Sequence, residues 1–195
     1  MDISGGQALP TASDAELLSA SARGDQAAFA ELASRHYGPV YRLAWRMLNG
    51  SVEAEDVAQE TFVKLWVNPH QVRDALALKG WLMRVASNLA TDRLRRKPLV
   101  DLDTIGEIAD ANARPDMARD ASRRVDLAIA RLPDRQKLAV TLVYLEDMTN
   151  IAAAVVMELS VDAIESLLAR ARRSLKTTLA DDWREIIEEL AAGAG

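Results

Sequence analysis

The sequence predicts an all-α protein built as two small helical domains joined by a flexible acidic linker. Apolar residues recur at helical spacing through most of the chain, whereas the alternation typical of strands is poor. Helix-capping residues stand where the periodic runs begin. Between the runs, residues 98–122 hold six acids against Arg114 and Arg119, include Gly106 and Pro115, and keep no period. A loop of that length is uncommon inside a compact domain, so the stretch reads as a linker. A chain of 195 residues with about half its residues apolar can furnish two modest cores.

The first helix opens at Ser13, whose pairing with Glu16 is a capping-box pattern; residues 1–12 precede it as a disordered N-terminus. Gly24-Asp25 breaks the chain and restarts it, putting Phe29, Leu32 and His36 on one face. Pro39 suits the first turn of a new helix, in which Val40, Leu43, Ala44 and Met47 form an apolar stripe that Asn49-Gly50 ends. Ser51 can cap the next helix, with Ala54, Val57, Ala58, Thr61, Phe62 and Leu65 buried. Glu53, Asp56 and Glu60 face outward, and Asn68-Pro69 stops the run.

A further helix is expected from about Leu78 to Lys97, with Trp81, Leu82, Val85, Ala86 and Leu89 inward. Arg84, Asn88, Thr91 and Arg95, spaced by four, three and four, make its opposite stripe polar and basic. Trp81 could stack on a nucleobase, but it shares a face with Val85 and Leu89 and reads better as core. Beyond the linker, Val125, Ala128, Ile129 and Leu132 mark one helix, and Pro133-Asp134 opens another bearing Leu138, Leu142 and Leu145. Thr149 starts a short apolar helix, Glu158-Leu159 makes a tight connection, and Ser160 caps a longer helix with Ile164, Leu167, Leu168, Ala171 and Leu175. That pair reads as a helix-turn-helix, a pattern shared with any α-hairpin in a bundle. A C-terminal segment, 181–195, is amphipathic, with Trp183, Ile186, Ile187 and Leu190 opposite Glu185, Glu188 and Glu189.

Composition narrows the function. There is no cysteine, and only His36 and His70 offer imidazole, which removes disulfides, thiol chemistry and the usual zinc sites. No stretch has the look of a signal peptide or a membrane span, so the expected address is the cytoplasm, without membrane insertion. The net charge of −5 disfavours a protein that coats nucleic acid indiscriminately. Cations are nevertheless clustered: six basic residues against Asp92 between Lys79 and Lys97, and a second group at Arg170, Arg172, Arg173 and Lys176. Either cluster, alone, is equally well a solvated helix face. No glycine-rich phosphate loop, nucleophile or metal cluster is evident, so neither catalysis nor a cofactor is expected.

The stretches DQAAFAELASRHYGPVYRLAWRML, VEAEDVAQETFVKLW and GWLMRVASNLATDRLRR resemble, in order and spacing, region 2 of extracytoplasmic-function sigma factors, RNA polymerase subunits of the sigma-70 family. LPDRQKLAVTLVYLEDMTN and LSVDAIESLLARARRSLK look like their region 4. The resemblance implies region 2 over 13–97, a linker over 98–122, region 4 over 123–180 and an appended tail over 181–195. It implies an alternative sigma factor that binds core RNA polymerase and directs promoter-specific initiation in a stress or envelope response, under an anti-sigma factor. In the family the helix matching Ala54 to Trp66 docks on the polymerase β′ coiled coil, which points to Asp56, Gln59 and Glu60; region 4 meets the β flap. Arg84 and Asn88 would meet bases of the minus-ten element, and Lys79, Arg93, Arg95, Arg96 and Lys97 its backbone. Ser160, Asp162, Ala163, Glu165 and Ser166 would face base edges at the minus-thirty-five element, with Arg170 and Arg173 on phosphates.

Two positions depart from the family pattern. The first helix of the helix-turn-helix has Ala152 three residues after Thr149, where the family has Glu and so a complete capping box. The turn has Glu158 where the family carries glycine, and a left-handed turn there costs a non-glycine residue about 1 kcal/mol. These departures leave open a sigma-like decoy that binds an anti-sigma factor or polymerase without initiating. The tail either packs on the second domain or adds to a surface for an anti-sigma factor.

Overall fold

The computed structural model describes residues 12–72, 77–96 and 117–192, the side chains of 117–123 and 180–192 excepted. The N-terminal segment, Lys97, the stretch 98–116 expected as a linker, and the apolar side chains of the tail lie outside the described residues. Among the described residues there are eight α-helices and no strand.

Helix α1 (Asp14–Ala22) opens with both halves of the expected capping box: the Ser13 hydroxyl accepts from Glu16 N, and the Glu16 carboxylate accepts from Ser13 N at 2.7 Å. Gly24, at φ 90°, makes the left-handed turn that other residues resist. Asp25 then caps α2 (Gln26–Met47) by accepting from the amides of Ala27 and Ala28. Pro39 does not begin a new helix: α2 runs through it. Proline lacks the N–H of one helical hydrogen bond, yet the helix is anchored on both sides, by Ala28 and Leu32 before it and Val40, Leu43, Ala44 and Met47 after it, all buried. Tertiary packing overrides the local penalty.

Helix α3 (Glu53–Val67) buries Ala54, Val57, Ala58, Thr61, Phe62 and Leu65, as the periodicity predicts. Its cap differs slightly, since Val52 holds the N-cap position and the Ser51 hydroxyl accepts from Glu53 N at 3.3 Å. A 3-10 turn over Pro69–Gln71 follows. Helix α4 (Leu78–Arg96) buries Leu78, Leu82, Met83, Ala86, Ser87 and Ala90. Its buried face is therefore rotated from the expected one, with Trp81, Val85 and Leu89 only half-buried. Trp81 packs against the core, in keeping with its reading as a packing residue.

Helix α5 (Met117–Ala130) begins inside the stretch read as linker, so residues 117–122 are helical. Helix α6 (Asp134–Val140) passes into a π-helical turn over Thr141–Leu145. Helix α7 (Asn150–Met157) is followed by α8 (Val161–Ala192), whose backbone continues without a break through the segment expected as a separate tail.

In the first half, α2 packs on α1, α3 and α4; in the second, α8 packs on α5, α6 and α7. The halves also touch: α7 lies on α4, and α5 and α6 lie on α2. Leu43, Leu82, Leu142 and Ile164 thus belong to one contiguous core. Complete burial of each such side chain contributes about 1.5–3 kcal/mol.

Candidate nucleic-acid interface

Helix α4 carries the basic stripe to the surface between the two halves. Asn88 and Arg95 are exposed, Arg84 and Thr91 half-buried. The spacing therefore places the four residues together, as expected. Several of the cations already have protein partners. Lys79 Nζ donates to the backbone carbonyl of Glu146 at 2.5 Å. Arg84 is paired with Glu158, and Arg93 Nη2 with Glu60 Oε2 at 3.3 Å. Arg96 is exposed.

Asp56 and Gln59 are exposed on α3, where Gln59 Nε2 donates to Glu55 at 3.4 Å. Glu60 faces outward as expected, its side chain 41% exposed, and it bridges to Lys64 at 3.5 Å as well as to Arg93. One carboxylate thus joins the expected polymerase-docking helix to the expected minus-ten helix. Beside these residues lies an apolar groove of about 550 Å³, lined by Phe29, Tyr37, Phe62, Val63 and Trp66, with Gln59 on its wall. The Phe29 and Trp66 rings lie 4.8 Å apart between centroids.

The helix-turn-helix of α7 and α8 forms around the two unusual positions. Thr149 caps α7 alone, accepting from Ala152 N at 3.1 Å. Glu158 adopts the left-handed conformation expected of the missing glycine, φ 55° and ψ 46°. The Leu159 amide then donates to the Ala154 carbonyl at 3.0 Å, closing the turn. Ser160 caps α8 by accepting from Ala163 N at 3.2 Å, which engages its oxygen within the protein. Asp162, Glu165, Ser166, Arg170 and Arg173 are exposed and Ala163 half-buried. One end of α8 therefore presents its polar side chains to solvent.

Sequence reasoning missed the residues that join the halves. The π turn at the end of α6 swings Glu146 inward, its amide donating to the Thr141 carbonyl at 3.0 Å. The Glu146 side chain, 2% exposed, accepts from Arg42 Nε at 3.1 Å and Nη2 at 3.0 Å, with Arg46 Nη1 at 3.7 Å. Arg42 keeps half its side chain in solvent, so the pair is weaker than a fully buried one. Arg46 also reaches Asp126 at 3.4 Å. Lys137 is 2% exposed and donates to Asn49 Oδ1 at 2.7 Å. Burial pulls its ammonium below the usual lysine range, with Asp134 opposing that shift. A signal existed in the spacing: Lys137 and Thr141 lie one helical turn apart along a face otherwise apolar, and Arg42 and Arg46 flank the Leu43 and Met47 stripe.

His36 Nε2 lies 2.7 Å from Asp14 Oδ2, tying α1 to α2 with help from Arg35. Burial would raise the Asp14 carboxyl, but the hydrogen bonds and charges of His36 and Arg35 outweigh it and hold the group below its usual range. Among the described residues no cluster of three or more His, Cys, Asp or Glu could hold a metal ion, and no helix is long and apolar enough to cross a membrane.

The described residues thus form a helical unit ending in a basic helix, followed by a helix-turn-helix unit. Sigma-70 region 2 matches residues 32–98, and Sigma-70, region 4 matches residues 122–175. The chain is 32% identical over 170 residues to the ECF RNA polymerase sigma factor SigM of Mycobacterium tuberculosis, covering 86% of this chain and 85% of that protein. It is 29% identical over 173 residues to the ECF RNA polymerase sigma factor SigW of Bacillus subtilis, covering 82% of this chain and 92% of that protein. Its structure is similar to that of CnrH in complex with the cytosolic domain of CnrY, with TM-score 0.67 and 27% identity over 87% of this chain and 98% of that one. The chain belongs to the extracytoplasmic-function sigma factors of the sigma-70 family.

Proposed function

We propose that this sigma factor docks on the β′ coiled coil of core RNA polymerase through Asp56, Gln59 and Glu60 of α3, and on the β flap through region 4. Acids on a rigid helix suit a basic partner surface, and the neighbouring apolar groove adds a seat for a nonpolar side chain. Helix α4 captures the opened minus-ten strand, with Arg84 and Asn88 at the bases and Lys79, Arg93, Arg95, Arg96 and Lys97 along the backbone. At the minus-thirty-five element α8 enters the major groove through Ser160, Asp162, Ala163, Glu165 and Ser166, while Arg170 and Arg173 meet phosphates. The observation that carries this reading is the gathering of Arg84, Asn88, Thr91 and Arg95 on one face of α4 within a matched region 2.

Strand opening needs no catalytic side chain here, since phosphodiester chemistry rests with the polymerase, and the protein acts in the cytoplasm beside it. Control by an anti-sigma factor is supported by CnrH, whose similar fold is held in a complex with a second protein. Run-off transcription with purified core enzyme tests the whole reading; tight core binding without promoter-dependent transcript from any candidate promoter would make the chain a decoy. Arg84→Ala and Asn88→Ala are expected to weaken permanganate reactivity of the promoter bubble while core binding persists. Normal bubble reactivity in both variants refutes the α4 assignment.

A further inference from the structure

We propose that region 4 carries a built-in competitor for the minus-ten strand: Glu158 holds the end of α7 on Arg84 of α4, while the Glu146 carboxylate anchors its start to Arg42 and Arg46 of α2 and so places the Glu146 carbonyl on Lys79, so that DNA must displace them. The proposal rests on α4 being the minus-ten helix. Glu146 precedes α7 and Glu158 follows it, and α7 lies against α4. At the first end, the buried Glu146 carboxylate takes Arg42 and Arg46, and its carbonyl takes the Lys79 ammonium. At the other end Glu158 takes Arg84. Beside Glu158 is a cleft of about 300 Å³, with Asn88, Thr91 and Arg95 on one wall and Asp134, Arg135 and Glu158 on the other. Two cations assigned to the minus-ten strand are thus occupied by oxygen atoms of region 4, and Asn88 and Arg95 face region 4 across a narrow gap.

A carboxylate engages the same guanidinium N–H groups that a phosphate would. Held on the same chain, it acts at an effective concentration in the millimolar range for short flexible connections, falling as the connection lengthens. The closed contact spares the other DNA-facing helix, since Glu165, Ser166, Arg170 and Arg173 stay exposed. Glu158 accordingly has a use that glycine could not supply: the left-handed turn projects a carboxylate onto Arg84.

The absence of native cysteine allows a fluorophore pair at Val52→Cys and Ile151→Cys, 88% and 69% exposed and on opposite halves. Energy transfer in the full-length chain reports closure, and anisotropy of a fluorescein-labelled oligothymidine of about 12 nucleotides reports access to α4. Glu146→Gln and Glu158→Gly should each lower transfer, and each should tighten oligonucleotide binding about two- to tenfold more than the charge-matched control Asp92→Asn. Glycine suits the left-handed turn, so the second variant retains its fold. Unchanged transfer in both variants overturns the clamp. Lower transfer with binding no tighter than in the control overturns the competition. If the Arg84→Ala bubble assay meanwhile behaves as expected, that failure belongs to this proposal and leaves the minus-ten assignment standing.

Discussion

The two helices assigned to DNA are presented in opposite ways. On α8 the residues proposed to read the minus-thirty-five element project into solvent, with only Ser160 engaged, and that by its own helix. On α4 three of the assigned cations, Lys79, Arg84 and Arg93, are held by protein acceptors, two of which come from the other half of the molecule. Region 4 has two local irregularities yet offers a ready surface; region 2 follows its pattern closely yet has several of its cations already paired. Local regularity and availability are therefore separate properties. The first follows from capping and spacing, the second from what packs across the interface.

The largest expected effect concerns the shared core. Leu82→Ala in α4 and Leu142→Ala after α6, buried at 1% and 0% exposure, should each destabilise by about 2–5 kcal/mol in chemical denaturation. If the halves form one cooperative unit, either substitution shifts the unfolding of both. Two separated transitions, with only one moved, would break the idea of a continuous core.

Thr149→Ala removes the single hydroxyl that caps α7 and should cost about 1 kcal/mol in the same measurement. Glu158→Gly should move stability in the other direction by up to about 1 kcal/mol, since it relieves a left-handed non-glycine residue. Loss of the Arg84 pair, an exposed one, offsets that gain by only about 0.2–1 kcal/mol. A destabilised Glu158→Gly protein would mean that the pair outweighs the turn.

Arg170→Ala should weaken duplex binding across sequences and lower the slope of log affinity against log salt by about one. Equal slopes would remove Arg170 from the phosphate contacts. The smallest effect concerns α1. Because His36 and Arg35 hold the Asp14 carboxyl below the usual aspartate range, it contributes stability that is present above that range and lost as the pH falls through the lower folded value. Asp14→Asn should flatten that acid limb of the stability curve, measured by thermal unfolding.

Much of this was readable from residue spacing. The α3 stripe, the Ser13 capping box and the cap at Ser160 depend on neighbours within one helical turn, and the left-handed Glu158 was expected from the glycine that the resembled family carries there. Pro39 misled because its local preference was outweighed by burial on both sides of it. The start of α5 at Met117 was obscured by the acidic composition that precedes it. Glu146, Arg42, Lys137 and Asn49 find one another across separations of about a hundred residues, and no local rule couples such positions. The candidate DNA stripe was thus visible as a set of side chains, while the pairing of Arg84 with Glu158 across the halves was not.

The uninterrupted course of α8 makes the reading end and the far end of the protein one mechanical object. Thirty-two residues of helix extend roughly 48 Å at 1.5 Å per residue. Its first turns are held in the core by Ile164, Leu168 and Ala171, and the same helix runs on to Ala192. A partner that grips the C-terminal turns would thus be joined through one continuous backbone helix to the segment proposed to enter the major groove.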